Sequence, residues 1–324
     1  KSIIIPESVW LLGASIFCGC SSLESIVVVE GNPEYDSREG CNAIIKTSTN
    51  SLLYGCKSTI IPESVTQIGE NAFYGCASLK SITIPKSVMK IGCGVFKNCT
   101  SLKSITIPDS VAMINWYAFE GCTSLKNITI PESVTQIGNK AFKGCISLES
   151  ITIPKSVTKI ETEVFSGCTS LVSITIPESV TKIEKYAFEG CTSLKKITIP
   201  ESVTKIENGA FSGCTSLESI SIPESITVIE RKAFERCTSL ASITIPGSVT
   251  KIEEETFSGC TSLKKVIITE GVTEIEKYAF EGCTSLESVT LPESVTSIKN
   301  VAFLGSSLES VTIPGGIKLP GGVY

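Results

Sequence analysis

Apolar and polar residues follow one another along this chain in a pattern that returns every 23 residues. The repeat reads L-x-x-I-x-I-P-x-S-V-x-x-I and continues into A-F-x-G-C. The isoleucine pair has the period of two that is typical of strands, and β-branched residues favour strands. Leu194, Ile197 and Ile199 are therefore predicted to point inward from one strand. Pro200 ends that strand, because proline has no N–H to donate to a neighbour.

A second, shorter extended segment follows the proline. Val203 and Ile206 are predicted to point inward, and Thr204 and Lys205 largely outward. Alanine and phenylalanine then close a turn of helical or 3₁₀ character, and glycine supplies the bend before the next cysteine. All twelve phenylalanines occupy one repeat position, which indicates a structural role.

A coil of 23 residues cannot bury a core of its own, whereas stacked coils turn each apolar position into a continuous ladder. We therefore predict one solenoid domain over residues 1–324, mostly β, with about twelve coils.

The L-x-x-I-x-I-P strand and the A-F-x-G-C turn resemble the leucine-rich repeats of the BspA-like type, named after Bacteroides surface protein A. The resemblance covers nearly the whole chain, although the asparagine that usually ends a leucine-rich strand is absent. It implies a curved right-handed solenoid with a parallel β-sheet on its concave face. It also implies an adhesin-like role at the cell surface or outside the cell. The chain begins inside a repeat without a signal peptide, so we expect a fragment of a longer surface protein.

The repeat is interrupted at about residues 30–59, where Cys20 and Cys56 lie 36 residues apart. Residues 43–46 and 51–54 flank a polar T-S-T-N turn, which predicts a β-hairpin. A similar N-P-x-Y-x-S insertion recurs in BspA-like proteins. The insertion is expected to cap or project from the stack, either as a long repeat or as a loop that contacts ligand.

Composition excludes several classes of function. There is no histidine, so triads and metal sites that need one are ruled out. No apolar run is long enough to span a membrane. The 28 basic residues do not outnumber the 33 acidic ones, which argues against a nucleic-acid partner. Near-identical coils give near-identical environments, so we expect no catalytic residue, cofactor or metal.

Ten cysteines from Cys76 to Cys283 lie 23 residues apart and, with Cys20 and Cys56, are predicted to form a ladder. A spacing of about 5 Å would permit disulfides. Equivalent sites give no reason for one pairing over another, and buried cysteine packs well as a small apolar residue. A ladder of free thiols is therefore favoured. Cys18, Cys41 and Cys93 fall outside it, and Cys18 is a candidate accessible thiol.

Candidate ligand contacts lie at the outward positions of the first strands. They are Ser104, Thr106, Asn127, Thr129, Ser150, Thr152, Ser173, Thr175, Lys196 and Thr198. One interpretation is that threonine simply suits a strand. The other is a hydrogen-bonding platform for a protein or glycan, with weak and extended contact because aromatic anchors are few.

The second face carries a lysine column from Lys159 to Lys251 beside a glutamate column from Glu161 to Glu276. This pattern favours a solvated face over a cation site. Trp116 and Tyr117, close to Met113, depart from that pattern. They are either a binding hot spot or gap-filling residues near a turn.

Two functions fit this sequence. The first is a non-catalytic binding module for a host matrix or cell-surface protein, with a glycan as the alternative ligand. The second is a spacer or stalk that presents another domain. Ice binding is a third hypothesis, against which the expected curvature and the serine–threonine mixture argue. Solenoid ends also allow end-to-end self-association.

Overall fold

The computed structural model of the protein describes residues 1–308 and 310–312. In most repeats the L-x-x-I-x-I segment forms a first strand and the V-x-x-I segment a second strand. The result is a β-solenoid of about 13 turns with parallel strands and nearly no helix, which confirms the predicted fold class. Within the described residues, no helix has the length and apolar character needed to cross a bilayer.

Residues 1–157 form the first of two compact units. Its first strands are β1 (Ser2–Ile5), β2 (Ser25–Val28), β8 (Ser104–Thr106), β10 (Asn127–Thr129) and β12 (Ser150–Thr152). Its second strands are β6 (Gln67–Ile68), β7 (Lys90–Ile91), β9 (Met113–Ile114) and β11 (Gln136–Ile137). The insertion adds β3 (Tyr35–Asp36), the 3₁₀ helix η1 (Arg38–Gly40), β4 (Ala43–Lys46) and β5 (Ser51–Gly55). Strand β1 pairs with β2 and β8 with β10, while the second strands and the insertion strands form a sheet in the order β11-β9-β7-β6-β5-β4-β3.

The insertion forms the predicted hairpin, with β4 antiparallel to β5. Strand β5 then runs parallel to β6, so the hairpin and β3 close one edge of the seven-stranded sheet. Asn32 fixes the insertion to the first coil, because its side-chain N–H groups donate to the carbonyls of Pro6 and Val9. Its side-chain oxygen accepts the N–H groups of Glu34 and Tyr35. The insertion therefore forms one edge of this sheet, and its role as a cap of the stack stays a prediction.

The second unit begins at Thr158. Its first strands are β14 (Ser173–Thr175), β16 (Lys196–Thr198), β18 (Ser219–Ser221), β20 (Ser242–Ile245), β22 (Lys265–Ile268), β24 (Ser288–Thr290) and β26 (Ser310–Thr312). Its second strands are β13 (Lys159–Ile160), β15 (Lys182–Ile183), β17 (Lys205–Ile206), β19 (Val228–Ile229), β21 (Lys251–Ile252), β23 (Glu274–Ile275) and β25 (Ser297–Ile298). Equivalent residues pair across neighbouring coils, as Ile174 does with Ile197.

Inward-facing side chains form continuous ladders. Leu194, Ile197, Ile199, Val203 and Ile206 are all buried, as predicted. The phenylalanines stack within each unit, with neighbouring ring centroids 5.3–5.6 Å apart. Each such aromatic pair adds about 0.5–1.5 kcal/mol beyond the burial of its area. From Phe73 onward, the core of each unit is therefore one packing solution repeated from coil to coil.

The cysteine ladder is held by hydrogen bonds rather than by disulfides. The sulfurs of Cys99, Cys122, Cys145, Cys191, Cys214, Cys237, Cys260 and Cys283 donate to the carbonyl of a phenylalanine 26 residues earlier, at 3.1–3.3 Å. The predicted thiol state is confirmed for these residues. Cys20 was expected in the ladder but is exposed, because it lies in the first turn of the stack, and Cys18 is half-buried.

The turns that contain phenylalanine are successive β-turns rather than helices. The N–H of Glu189 bonds to the carbonyl of Tyr186, and the N–H of Cys191 to that of Phe188, as in a 3₁₀ helix. Tyr186 has a φ of 56°, which interrupts helical geometry within this run. The expected helical character is therefore limited to these hydrogen bonds, and η1 is the only helix in the described part of the chain.

Candidate functional site

All ten strand residues proposed from the sequence are exposed, and a buried residue separates the two members of each pair. Strands β8, β10, β12, β14 and β16 share this exposed–buried–exposed pattern. In the first unit, Ser104 lies beside Asn127 and Thr106 beside Thr129. We call these outward positions of the first strands the strand face. The first six candidates belong to the first unit and the last four to the second.

The strand face differs from the other hydroxyl columns in its hydrogen bonding. In three other columns the hydroxyl donates to the carbonyl of an earlier coil, as Thr181 does to Thr158, Thr215 to Thr192 and Ser225 to Val203. The side chains of the ten strand-face candidates make no hydrogen bond with any other described residue. Their donors and acceptors face solvent and are available to a ligand.

A depression of about 560 Å³ opens on the strand face of the first unit. The hydroxyl-bearing residues Ser81, Thr83, Ser104, Thr106 and Thr129 line it together with Lys86, Asp109, Pro108 and Pro131. It forms where residues 81–84 depart from strand geometry, leaving Ile82 half-buried while Ile105 in the next coil is buried. The otherwise regular strand face therefore has a local concavity that is lined by one cationic and one anionic side chain, Lys86 and Asp109.

Lys86 and Asp109 were not among the residues proposed from the sequence. Both follow the proline of their repeat, where most later coils carry glutamate. The sequence signal was therefore the replacement of P-E-S by P-K-S and P-D-S at these two positions. A second depression, of about 280 Å³, lies against the insertion and is lined by Val28, Gly31, Asp36 and Arg38 among others. Asp36 and Arg38 already form an ion pair with each other there.

The second-strand surface of the second unit is a network of ion pairs. Lys182 lies 3.0 Å from Glu184 and 3.2 Å from Glu207, while Lys205 lies 3.1 Å from Glu207 and 2.5 Å from Glu230. Burial alone would raise the pKa of the Glu207 carboxyl, but the hydrogen bonds and charges of Lys205 and Lys182 outweigh it and lower that pKa. The predicted alternation of opposite charges is confirmed here.

The corresponding surface of the first unit carries apolar side chains instead. Trp116 is 52% exposed and Met113 is 40% exposed. Tyr117 is half-buried, with the ammonium groups of Lys97 and Lys140 lying 4.9 and 5.7 Å from its ring centroid. These residues belong to the second strands and their turns, so the candidates proposed from the sequence fall on two different surfaces.

No group of three or more histidine, cysteine, aspartate or glutamate residues among the described residues is arranged to hold a metal ion. The ladder thiols are poor nucleophiles, since burial raises the pKa of Cys122 and of Cys214 to about 12. What the geometry offers is hydrogen bonding and apolar contact at two surfaces.

Comparison with known proteins identifies the repeat. A family model described as BspA type leucine rich repeat region (6 copies) matches residues 1–39, 45–172, 135–264 and 209–321. A comparison with curated proteins finds no match.

Several solved structures are similar to the chain. A leucine rich cell surface protein from Faecalibacterium prausnitzii A2-165 is 32% identical, with a TM-score of 0.53 over 86% of this chain and 93% of that chain. A leucine-rich repeat protein from Bacteroides ovatus ATCC 8483 is 31% identical, with a TM-score of 0.62 over 88% of each chain. The pneumococcal vaccine antigen PcpA is 21% identical, with a TM-score of 0.55 over 96% of this chain and 78% of its own, and shows the shared fold alone.

Proposed function

This chain belongs to the BspA-type leucine-rich repeat family, and we propose that it is a non-catalytic, adhesin-like binding module at the cell surface or outside the cell. The ligand contacts the strand face over several coils. The contact residues are the ten strand-face candidates, from Ser104 to Thr198. The ligand is a host matrix or cell-surface protein, with a glycan as the alternative.

The observation that carries this proposal is the difference between the hydroxyl columns. Thr181 and Thr215 are committed to carbonyls of their own chain, so their hydrogen-bonding capacity stabilises the stack. Thr106 and Thr129 are exposed and make no such bond with the described residues. Each hydrogen bond that a ligand makes here contributes about 0.5–1.5 kcal/mol net, so useful affinity requires contact with several coils.

The depression in the first unit gives the strand face a place where contact can begin. Its hydroxyls lie close to the ammonium of Lys86 and the carboxylate of Asp109. Charge-assisted hydrogen bonds are roughly twice as strong as neutral ones, so these two groups set orientation on a surface that is otherwise nearly uncharged. The surface location is supported by the relative from Faecalibacterium prausnitzii, which is described as a cell surface protein.

The regularity of the second unit favours a second candidate function, that of a spacer. From Phe165 to Phe303 the phenylalanine stack continues through seven coils with little change in spacing. A stalk needs only such repetition and no exposed group with a specific partner.

An array of purified matrix proteins and glycans, probed with the whole chain, separates the two functions. The binding module predicts saturable binding to at least one member of the array, weakened when Thr106 and Thr129 are replaced by valine. A spacer predicts no saturable binding across the array, and that result would overturn the proposal.

A further inference from the structure

We propose that the second-strand surface of the first unit carries a separate docking site, centred on Met113 and Trp116, for an acidic peptide segment that contains a large apolar side chain. This site lies on a different sheet from the strand face and takes a partner of different chemistry. The inference therefore goes beyond the proposed function and does not depend on it.

The apolar part of the site, which we call the apolar cluster, consists of three exposed residues on neighbouring coils. Met89 is 63% exposed, Met113 is 40% exposed and Trp116 is 52% exposed. Single exposed apolar residues are common on soluble proteins, but tryptophan and methionine are enriched in the buried centres of protein interfaces. Truncation of tryptophan is also among the most damaging changes at such interfaces. The cluster therefore has the composition of a protein contact.

The neighbouring coils leave room for the Trp116 ring at this position. Gly138 in the next coil provides the space, because a Cβ atom there would lie 2.5 Å from Cδ1 of Trp116. On the other side, the carbonyl of Trp116 accepts the N–H of Gly94 at 2.8 Å. The adjacent Tyr117 ring lies below the Lys97 ammonium.

The charge of the expected partner follows from a comparison of the two units. In the second unit, Lys182 and Lys205 pair with glutamates placed two residues further along the chain. In the first unit that glutamate position is occupied by Gly69, Gly92, Asn115 and Gly138. Lys90 is exposed and has no ion-pair partner among the described residues. The surface thus keeps a lysine but lacks the carboxylate that neutralises its counterparts.

Lys90 and the apolar cluster are neighbours. Strand β7 pairs with β9 through Ile91 and Ile114, which places Lys90 beside Met113. Lys97, which lies over the Tyr117 ring, is already paired with Glu120, so Lys90 is the lysine that we assign to a partner carboxylate. A carboxylate of the partner would pair with the Lys90 ammonium, and its apolar side chain would pack on Trp116 and Met113.

The test uses a fluorescein-labelled synthetic peptide in which glutamates flank leucine and phenylalanine, and a matched peptide with lysines in place of the glutamates. Fluorescence anisotropy of the whole chain with each peptide gives the affinities. The acidic peptide should bind saturably and the basic one should not. Trp116→Ala and Lys90→Glu should each weaken binding about tenfold or more. Lys185→Glu is the control, since it makes the same charge change at an exposed position in the turn that follows β15 in the other unit, and it should have little effect.

A second measurement tests whether the peptide binds at Trp116. The chain has two tryptophans, so Trp10→Phe leaves Trp116 as the sole tryptophan, and its emission should shift to the blue as the acidic peptide is added. An unchanged emission, equal binding of both peptides, or full binding by Lys90→Glu would overturn the proposal. The proposal would also be overturned if the chain bound no peptide but associated with itself, and if Trp116→Ala abolished that self-association. The occupant of the site would then be a second copy of this chain. Thr106→Val and Thr129→Val should leave peptide binding intact, which separates this test from that of the strand face.

Discussion

At the residue scale, the turns depend on backbone conformations that side chains rarely adopt. The residue before each cysteine usually is a glycine with positive φ, as at Gly213 (70°) and Gly259 (73°). Arg236 occupies the same position with a φ of 57°. A left-handed conformation costs a residue with a Cβ roughly 1–2 kcal/mol. The N–H of Arg236 donates at 2.7 Å to the carbonyl of Ser258 in the next coil, the same bond that Gly213 and Gly259 make to their next coils.

Restoring the glycine should therefore stabilise the protein. Arg236→Gly removes the conformational strain, and the greater entropy of glycine in the unfolded chain offsets part of the gain. We expect the free energy of unfolding to rise by about 0.5–1 kcal/mol in urea denaturation followed by circular dichroism. Arg236→Ala is the control, because it removes the guanidinium but keeps the strain. Equal stability of the two variants would show that the backbone conformation is not the cause.

At the element scale, the alternation of apolar residues predicted the strands, their inward faces and the hairpin of residues 43–55. It did so because each is a local property of the chain. The hydrogen bond from Cys214 to the carbonyl of Phe188 could not be predicted, because it depends on how far one coil is displaced relative to the next. For the same reason, the sequence did not show that β5 would pair with β6 and so close a sheet.

The thiol ladder predicts a sharp division in chemical reactivity. In the folded protein, the exposed Cys20 should react first with a thiol reagent at mildly alkaline pH, and the half-buried Cys18 and Cys93 more slowly. Burial blocks access to the other cysteines and raises the pKa of Cys41 to about 11 and of Cys76 to about 12.

After denaturation without reductant, all fifteen cysteines should react. Mass spectrometry gives the number of labelled cysteines in the folded and in the denatured protein. Cys20→Ser should remove the fastest phase of labelling in the folded protein. Rapid labelling of the buried ladder in the folded protein, or a denatured count well below fifteen, would contradict the ladder.

At the scale of the whole molecule, repetition predicts one cooperative solenoid over residues 1–324, although contacts concentrate in two compact units whose boundary along the chain falls between Val157 and Thr158. Cooperativity, handedness and curvature stay predictions. The outward candidates could be predicted because the strand period of two assigns them to one face. The depression beside Ser81 and Lys86 could not, because it arises where one coil departs from the pairing that the sequence pattern indicates.

Cooperativity can be measured because both tryptophans lie in the first unit, at Trp10 and Trp116. Phe234→Ala in the second unit should cost about 3–5 kcal/mol by leaving a cavity in the phenylalanine stack. If the chain unfolds as one solenoid, this variant shifts the tryptophan fluorescence transition and the circular dichroism transition together. Phe119→Ala in the first unit is the matched control. A fluorescence transition that Phe234→Ala leaves unmoved would show that the units unfold independently.

The central claim is that the ligand binds those hydroxyls of the strand face that make no hydrogen bond with the described residues. A comparison of two threonine-to-valine variants tests it most directly. One variant carries Thr106→Val, Thr129→Val and Thr152→Val. The other carries Thr135→Val, Thr181→Val and Thr227→Val, which remove exposed hydroxyls that already bond to the chain itself.

The measurement is the Kd of each variant for the matrix protein or glycan selected on the array. The strand-face variant should lose about tenfold or more in affinity with its fold intact, because it loses several ligand hydrogen bonds of about 0.5–1.5 kcal/mol each. The other variant should bind like the unaltered chain. Full affinity in the strand-face variant, or an equal loss in both, would contradict the account.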